Sequence, residues 1–266
     1  MCSTRIQITR CDIPKCICIE IDLWNKYANS GKLTMLYLVP TPLGNLEDIT
    51  LRAIRILKEV DYILVEDTRV TRKLMQHFEI STPLKAYHAH NEHEMTEHIV
   101  QDLVTGKNVA LVSDAGTPGI SDPGYLLVNA CHEKKIAFSC LPGANAVIPA
   151  LVMSGLPIHE FHFAGFLPQK KGRRTEWETV SQFPTTTAFY ESPHRLIKFL
   201  EEAIQYCGPE RIVCVVREIS KIYEEAYRGT ATEVHRYYKE HPDKCVGEIV
   251  IIIDRVRDQR IKGSTE

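Results

Sequence analysis

Four times between Met35 and Gly143, a short apolar run breaks off into a loop rich in glycine, proline or charge before the next helical pattern begins. The runs are Met35–Val39, Tyr62–Val65, Val109–Val112 and Ile136–Cys140. The loops are Pro40-Thr-Pro-Leu-Gly-Asn45, Glu66-Asp-Thr-Arg69, Ser113 to Gly124 and Leu141-Pro-Gly143. Strands alternating with helices in this way point to the α/β class. In open α/β sheets, ligands bind beyond the carboxyl ends of the strands, so the loops at 40–45, 66–69, 113–124 and 141–145 are the candidate site.

The helical segments carry their own signals. Ile49, Ala53, Ile54 and Leu57 fall on one face at helical spacing. Asn91-Glu-His-Glu94 has the form of a capping box ahead of a helix to about Thr105. Asp122 and Pro123 read as an N-cap and first helical residue, and Ser192 and Pro193 as another helix start. Ser154-Gly-Leu-Pro157 reads as a connection into a second half, with strands near 161–166, 186–190, 211–217, 223–228 and 247–253. For a chain of 266 residues, two α/β domains at 35–150 and 151–254 fit better than one. Residues 1–34 are expected to be an extension upstream of a natural start at Met35, and 255–266 a charged tail.

A formal net charge of −2 gives no overall basic field, so any nucleic acid must be held by local patches. The nine cysteines are too sparse and irregular for a disulfide framework. Cys131, Cys140, Cys207, Cys214 and Cys245 fall in apparent core elements and read as buried thiols of a cytoplasmic protein. Cys2, Cys11, Cys16 and Cys18 offer no Cys-x-x-Cys spacing and no histidine to complete a metal set. The segment around them does not read as a signal peptide, because Glu20 and Asp22 cut its best apolar run.

Gly116, Gly119 and Gly124 form neither Gly-x-Gly-x-x-Gly nor a P-loop. A loop kept this small over twelve residues suits either a tight turn or close backbone approach to a flat ligand. Glu66-Asp-Thr-Arg69 puts two carboxylates and a guanidinium at a strand end, as a solvated ion pair or as part of a site. Lys170, Lys171, Arg173 and Arg174 surround one glycine and could pair with phosphates. In Glu191-Ser-Pro-His-Arg195, the Ser-Pro pair is explained as a helix start, leaving Glu191, His194 and Arg195 for a second role. His88, His90 and His93 match no recurrent zinc spacing, and no metal is expected.

The four loop motifs at 40–52, 66–69, 113–124 and 191–195, in this order, resemble those of the 16S ribosomal RNA (cytidine-2′-O)-methyltransferases of the tetrapyrrole-methylase superfamily. Leu141-Pro-Gly143, Ser154-Gly-Leu-Pro157, Gly165-Phe-Leu-Pro168, Arg217-Glu218 and Gly247-Glu-Ile-Val250 extend the likeness over about 35–254. The resemblance implies a two-domain α/β fold, usually a homodimer, with S-adenosylmethionine in the inter-domain cleft and 16S rRNA or the small ribosomal subunit as partner. Asp114, Ala115, Gly116, Asp122, Pro123, Pro142, Gly143 and Ala144 would line the cofactor, with Gly155, Leu156 and Pro157 closing it. Asn45, Glu66, Asp67 and Arg69 would face the reacting ribose. Ala164 and Val246 depart from the family pattern, which has Glu-Gly-Phe and Lys-Gly-Glu where this chain has Ala164-Gly165-Phe166 and Val246-Gly247-Glu248.

On this footing Glu66 or Asp67 is expected to act as a base toward a ribose 2′-hydroxyl, with Arg69 as a clamp. Lys170, Lys171, Arg173, Arg174, His194 and Arg195 are expected to contact RNA in a splayed or single-stranded segment of the decoding region. Two other readings stay open: a C-methyltransferase acting on a precorrin-type tetrapyrrole, and a non-catalytic RNA-binding assembly factor. A methylation assay with precorrin-type substrate decides the first, and bound cofactor without transfer to any RNA would favour the second.

Overall fold

The computed structural model describes residues 34–256. Residues 1–33 of the expected extension, with its four cysteines, and residues 257–266 of the expected tail lie outside the described residues. The first sheet comprises β1 (Met35–Leu38), β2 (Tyr62–Val65), β3 (Leu84–Ala86), β4 (Val109–Leu111) and β5 (Ala137–Cys140). Its order is β3-β2-β4-β1-β5 with every pairing parallel. Leu36, Tyr62, Leu64 and Leu111 pack into one apolar cluster and Val39, Ile63, Val65 and Ala110 into another, one on each face. Burial on both faces is what a parallel sheet flanked by helices requires, and it explains runs without polar alternation.

The helices of this half are α1 (Leu51–Glu59), α2 (Thr68–His77), α3 (Glu92–Val104) and α4 (Tyr125–Lys134). Thr50 caps α1 by accepting from the Ala53 amide at 3.0 Å, and Asp67 caps α2. Two expected starts are corrected. Asn91 precedes α3 but makes no capping box; its side chain accepts from the His88 amide and donates to the Ala86 carbonyl, tying the helix to β3. α4 begins at Tyr125 after Gly124, leaving Asp122 and Pro123 in the loop. Gly124 adopts φ 145°, and a Cβ there would lie 3.0 Å from Leu111 Cδ2, so the chain passes flush against β4 in a conformation reserved for glycine.

The second sheet comprises β6 (Phe161–Phe166), β7 (Thr186–Glu191), β8 (Ile212–Arg217), β9 (Glu225–Thr230) and β10 (Ile249–Ile253). Its order is β6-β7-β10-β8-β9, with β6 and β7 parallel and the remaining pairs antiparallel. One face is covered by α6 (Arg173–Val180), α7 (Leu196–Cys207) and α8 (Ala231–Glu240) around Trp177, Phe189, Phe199 and Tyr238. The other face is covered by α5 (Val147–Ser154), whose Val147, Ala150 and Leu151 meet Ala188, Val216 and Ile252. A boundary at 150/151 would cut this helix in two. By packing, α5 goes with the second sheet, and we place the division ahead of Val147. Leu43, from the loop after β1, joins the same cluster and links the halves.

β6 carries a register shift. Phe163 pairs with Ala188, but Gly165 pairs with Phe189 and Phe166 with Tyr190, so Ala164 is the extra residue. Gly165 takes φ +62°. Strict alternation would put Phe163 and Phe166 on opposite faces; the bulge brings both to the face toward the first half.

Of the five cysteines expected in the core, Cys131 and Cys214 are buried, and burial pushes both thiols up to about 11. Cys207 and Cys245 are half-buried, while Cys140 is exposed because β5 is an edge strand. No helix among the described residues is long and apolar enough to cross a membrane.

Candidate active site

The loops after β1, β2, β4 and β5 gather at the carboxyl edge of the first sheet and are stitched together by hydrogen bonds. Thr41 and Gly116 exchange backbone bonds of 2.9 Å, and Thr41 Oγ1 donates to the Ser113 carbonyl at 3.0 Å. Thr117 Oγ1 donates to the Ala144 carbonyl at 3.0 Å, and the Asp67 amide donates to Asp114 Oδ1 at 3.1 Å. Gly116, at φ +82°, has no room to spare: a Cβ would sit 3.3 Å from Leu43 Cδ2.

Between this edge and the second sheet lies a cavity of ≈ 470 Å³. From the first half it is lined by Leu43, Glu66 and the 114–122 loop, and from the second by Phe166, Tyr190 to Pro193 and Gly247 to Val250. Glu66, Asp114 and Asp122 crowd together in the lining. Glu191 and Glu248 also border it, but Glu191 is paired with Arg195 and Arg173 and Glu248 with Lys221. Among the described residues no Lys, Arg or His lines the cavity. Burial raises the Asp122 carboxyl to about 6, reinforced by the charges of Glu66 and Asp114. Burial also raises Glu66 and Asp114. Tyr190 reaches toward the same group: burial and then the charges of Asp122 and Glu248 push its hydroxyl up to about 12.

The expected catalytic residues separate. Glu66 lines the cavity. Asp67 does not; its carboxylate caps α2 and holds the Arg69 guanidinium, which keep it down at about 2. Arg69 is exposed, and Asn45 is an exposed cap accepting from the Glu47 amide at 3.1 Å. Of the expected cofactor residues, Asp114, Ala115, Gly116 and Asp122 line the cavity, whereas Pro123, Pro142, Gly143, Ala144, Gly155, Leu156 and Pro157 are not in its lining. Leu156 is packed in the apolar cluster beneath α5. Gly143 abuts Pro40, the Gly155 carbonyl accepts from Arg228, and the Pro157 carbonyl accepts from Thr186.

The basic loop needs one correction. Arg173 is 6% exposed and cannot serve as a surface phosphate contact. Its guanidinium grips Glu202 at 2.6 Å, stands 3.8 Å from Glu191, and donates to the Pro168 carbonyl at 3.1 Å. A buried guanidinium must be paired, and this pairing pins the loop rather than presenting a charge. Lys170, Lys171, Arg174 and His194 are exposed. Arg195 is half-committed to Glu191 at 2.7 Å.

Tyr190, Phe166 and Glu248 belong to the cavity but were not singled out from the sequence as site residues. Phe163 and Phe166, three apart in a strand pattern around a glycine, are the available signal for the first two. On the far rim, Lys221 bridges Glu218 at 3.0 Å and Glu248 at 3.3 Å. Its stem lies over Gly44, leaving no room for a Cβ, and Ser220 donates to the Asp48 carboxylate.

Residues 35–235 match the family described as Tetrapyrrole (Corrin/Porphyrin) Methylases. A protein of Halalkalibacterium halodurans named Ribosomal RNA small subunit methyltransferase I is 50% identical over 220 residues, 82% of this chain and 75% of its own length. Proteins of the same name from Escherichia coli O157:H7 and Bacillus subtilis are 46% and 45% identical, over 82% and 87% of this chain and 77% and 80% of theirs. Among solved structures, a cobalt precorrin-4 methyltransferase superposes with TM-score 0.62 at 16% identity, covering 83% of this chain and 94% of its own. A diphthine synthase gives TM-score 0.64 at 11% identity, with 83% and 90% covered. At such identities these two speak for the fold alone.

Proposed function

The chain belongs to the tetrapyrrole methylase family, and from that premise we propose that it is an S-adenosylmethionine-dependent methyltransferase acting on a cytidine ribose 2′-hydroxyl in the decoding region of 16S rRNA. The relatives named for small-subunit ribosomal RNA methylation support the substrate. The observation that carries the site is the cavity in which Glu66, Asp114 and Asp122 crowd together with no cation among the described lining residues. Crowded, partly buried carboxylates repel one another, and a cationic occupant relieves that repulsion.

S-adenosylmethionine fits these residues: Leu43, Ala115, Ile120 and Val250 offer apolar wall to its flat base, and the carboxylates offer counter-charge to its sulfonium. Bound there, it supplies a methyl group already activated for transfer. The chain's remaining work is orientation and proton handling. In this reading Glu66 takes the hydroxyl proton, because burial leaves it a stronger base than an ordinary glutamate. Asp122 and Asp114 hold the counter-charge, and Asp67 positions α2 and Arg69. Lys170, Lys171, Arg174 and His194 take the RNA phosphates outside. A precorrin-type substrate, which carries several carboxylates of its own, would be repelled by the same lining.

The test is transfer of labelled methyl to small ribosomal subunits from a strain lacking this protein. The expected result is label at one alkali-resistant cytidine linkage. Intact cofactor binding with no transfer to RNA overturns the reading. A cytoplasmic homodimer is part of the same proposal, and sedimentation as a monomer at micromolar concentration would remove the dimer from it.

A further inference from the structure

We propose that Phe166 is a stacking platform for an unstacked nucleobase of the RNA at the cavity mouth, a role that rests on the reading of the chain as an RNA methyltransferase. Phe166 closes a strand of the second sheet yet is 53% exposed, and it lines the cavity. The bulge at Ala164 and Gly165 is what turns it there; if residues 163 to 166 alternated regularly, it would face the opposite side of the sheet. Bulges beside active sites re-aim single side chains, and this one aims an aromatic ring.

The ring is held from behind. Tyr190 packs on Phe166 with centroids 5.5 Å apart and on Phe163 at 5.1 Å, so a row of three rings backs the exposed face. Lys170 and Lys171 follow four and five residues later, within roughly 13–18 Å of extended chain. Their loop is pinned through the bond from Arg173 to the Pro168 carbonyl.

Charge decides which part of an RNA can enter. The crowded carboxylates of Glu66, Asp114 and Asp122 disfavour phosphates in the cavity, so base and ribose pass the mouth, with the phosphates left to the two lysines outside. An aromatic face at that border suits any base, because every base has a π face.

The experiment compares wild type with Phe166→Ala, Phe166→Leu and Phe166→Trp on small subunits. Three readouts are taken: kcat/KM for methyl transfer and its salt dependence, S-adenosylmethionine affinity by calorimetry, and thermal midpoint. Expected are losses on the order of ten- to a hundred-fold in kcat/KM for Ala and Leu, and near-complete rescue by Trp. Cofactor affinity and thermal midpoint should stay unchanged. The salt slope should also hold, whereas Lys170→Gln with Lys171→Gln flattens it. Full activity in Phe166→Leu overturns the platform, since an apolar contact would then suffice. A matching loss of cofactor affinity in Phe166→Ala also overturns it and assigns the ring to the cofactor's base. Wild type that transfers no methyl to RNA refutes the broader function and the platform with it; active wild type equalled by Phe166→Ala refutes the platform alone.

Discussion

A carboxyl group that titrates near 6 in a cavity whose described lining holds no cation changes charge inside the pH range of ordinary assays, and Asp122 is such a group. Its folded-state value lies above the unfolded one, so in the ligand-free protein it favours folding at low pH and loses that contribution as pH rises through 6. The thermal midpoint of wild type relative to Asp122→Asn should therefore fall as pH rises from about 4 to 6 and level off above that. Cofactor affinity should move oppositely, weakening in wild type as pH falls from 7 to 5 and staying flatter in the variant. Neighbours in sequence need not share a fate. Glu66→Gln should lower single-turnover methylation by roughly 10²–10⁴-fold, while Asp67→Asn, still a competent cap, should cost only a few-fold. Near wild-type rates for Glu66→Gln would remove it as the base. The sequence placed both acids at a strand end but could not separate them, because which one faces a cavity depends on where the helix begins. Arg173 and Arg174 repeat the lesson: one is buried against Glu202 and Glu191, the other exposed beside Glu178. Arg173→Met should destabilise the fold by about 3–5 kcal/mol by leaving buried carboxylates unpaired. Arg174→Ala should change stability by less than about 1 kcal/mol in the same denaturant titration.

Elements were legible in proportion to how local their causes are. β1, β2 and β4 announce themselves as apolar runs because both faces of a parallel sheet are buried. The start of α3 was found at the right residue for the wrong reason, since Asn91 bonds back to β3 and leaves the helix amides alone. The start of α4 was misplaced because Asp-Pro is a good local signal, and contact with Leu111 overrides it by demanding a glycine conformation at Gly124. The β6 bulge had no local signature beyond Gly165, being a property of pairing with β7. It yields a sharp test: deleting Ala164 leaves Phe163 and Phe166 two positions apart, so a regular strand still holds Phe166 opposite Tyr190 on the cavity face. The deletion should therefore keep RNA methylation and cofactor binding within a few-fold of wild type, and loss of both together would mean that the bulge serves the whole cavity.

Over the whole molecule, the two sheets differ in when along the chain they become complete. Both apolar clusters of the first sheet are built from residues between Leu36 and Leu141. The second sheet has β10 at its centre, paired to β7 and β8, and β10 is the last strand among the described residues. On a translating ribosome, where domains fold as they emerge, the first half can close while the second is still being made. The second half must wait for Ile253, with β6, β7, β8, β9 and the apolar side of α5 lacking the strand that organises them. Nascent chains stalled with residues to about 145 outside the exit tunnel should already protect the first sheet from protease. Chains stalled short of Ile249 should gain no protection in the second half, and release through Ile253 should bring it at once. The fold thus schedules its own assembly: half of the cavity wall stands early, and the other half, which carries Phe166 and the basic loop, is set only once Ile253 has emerged.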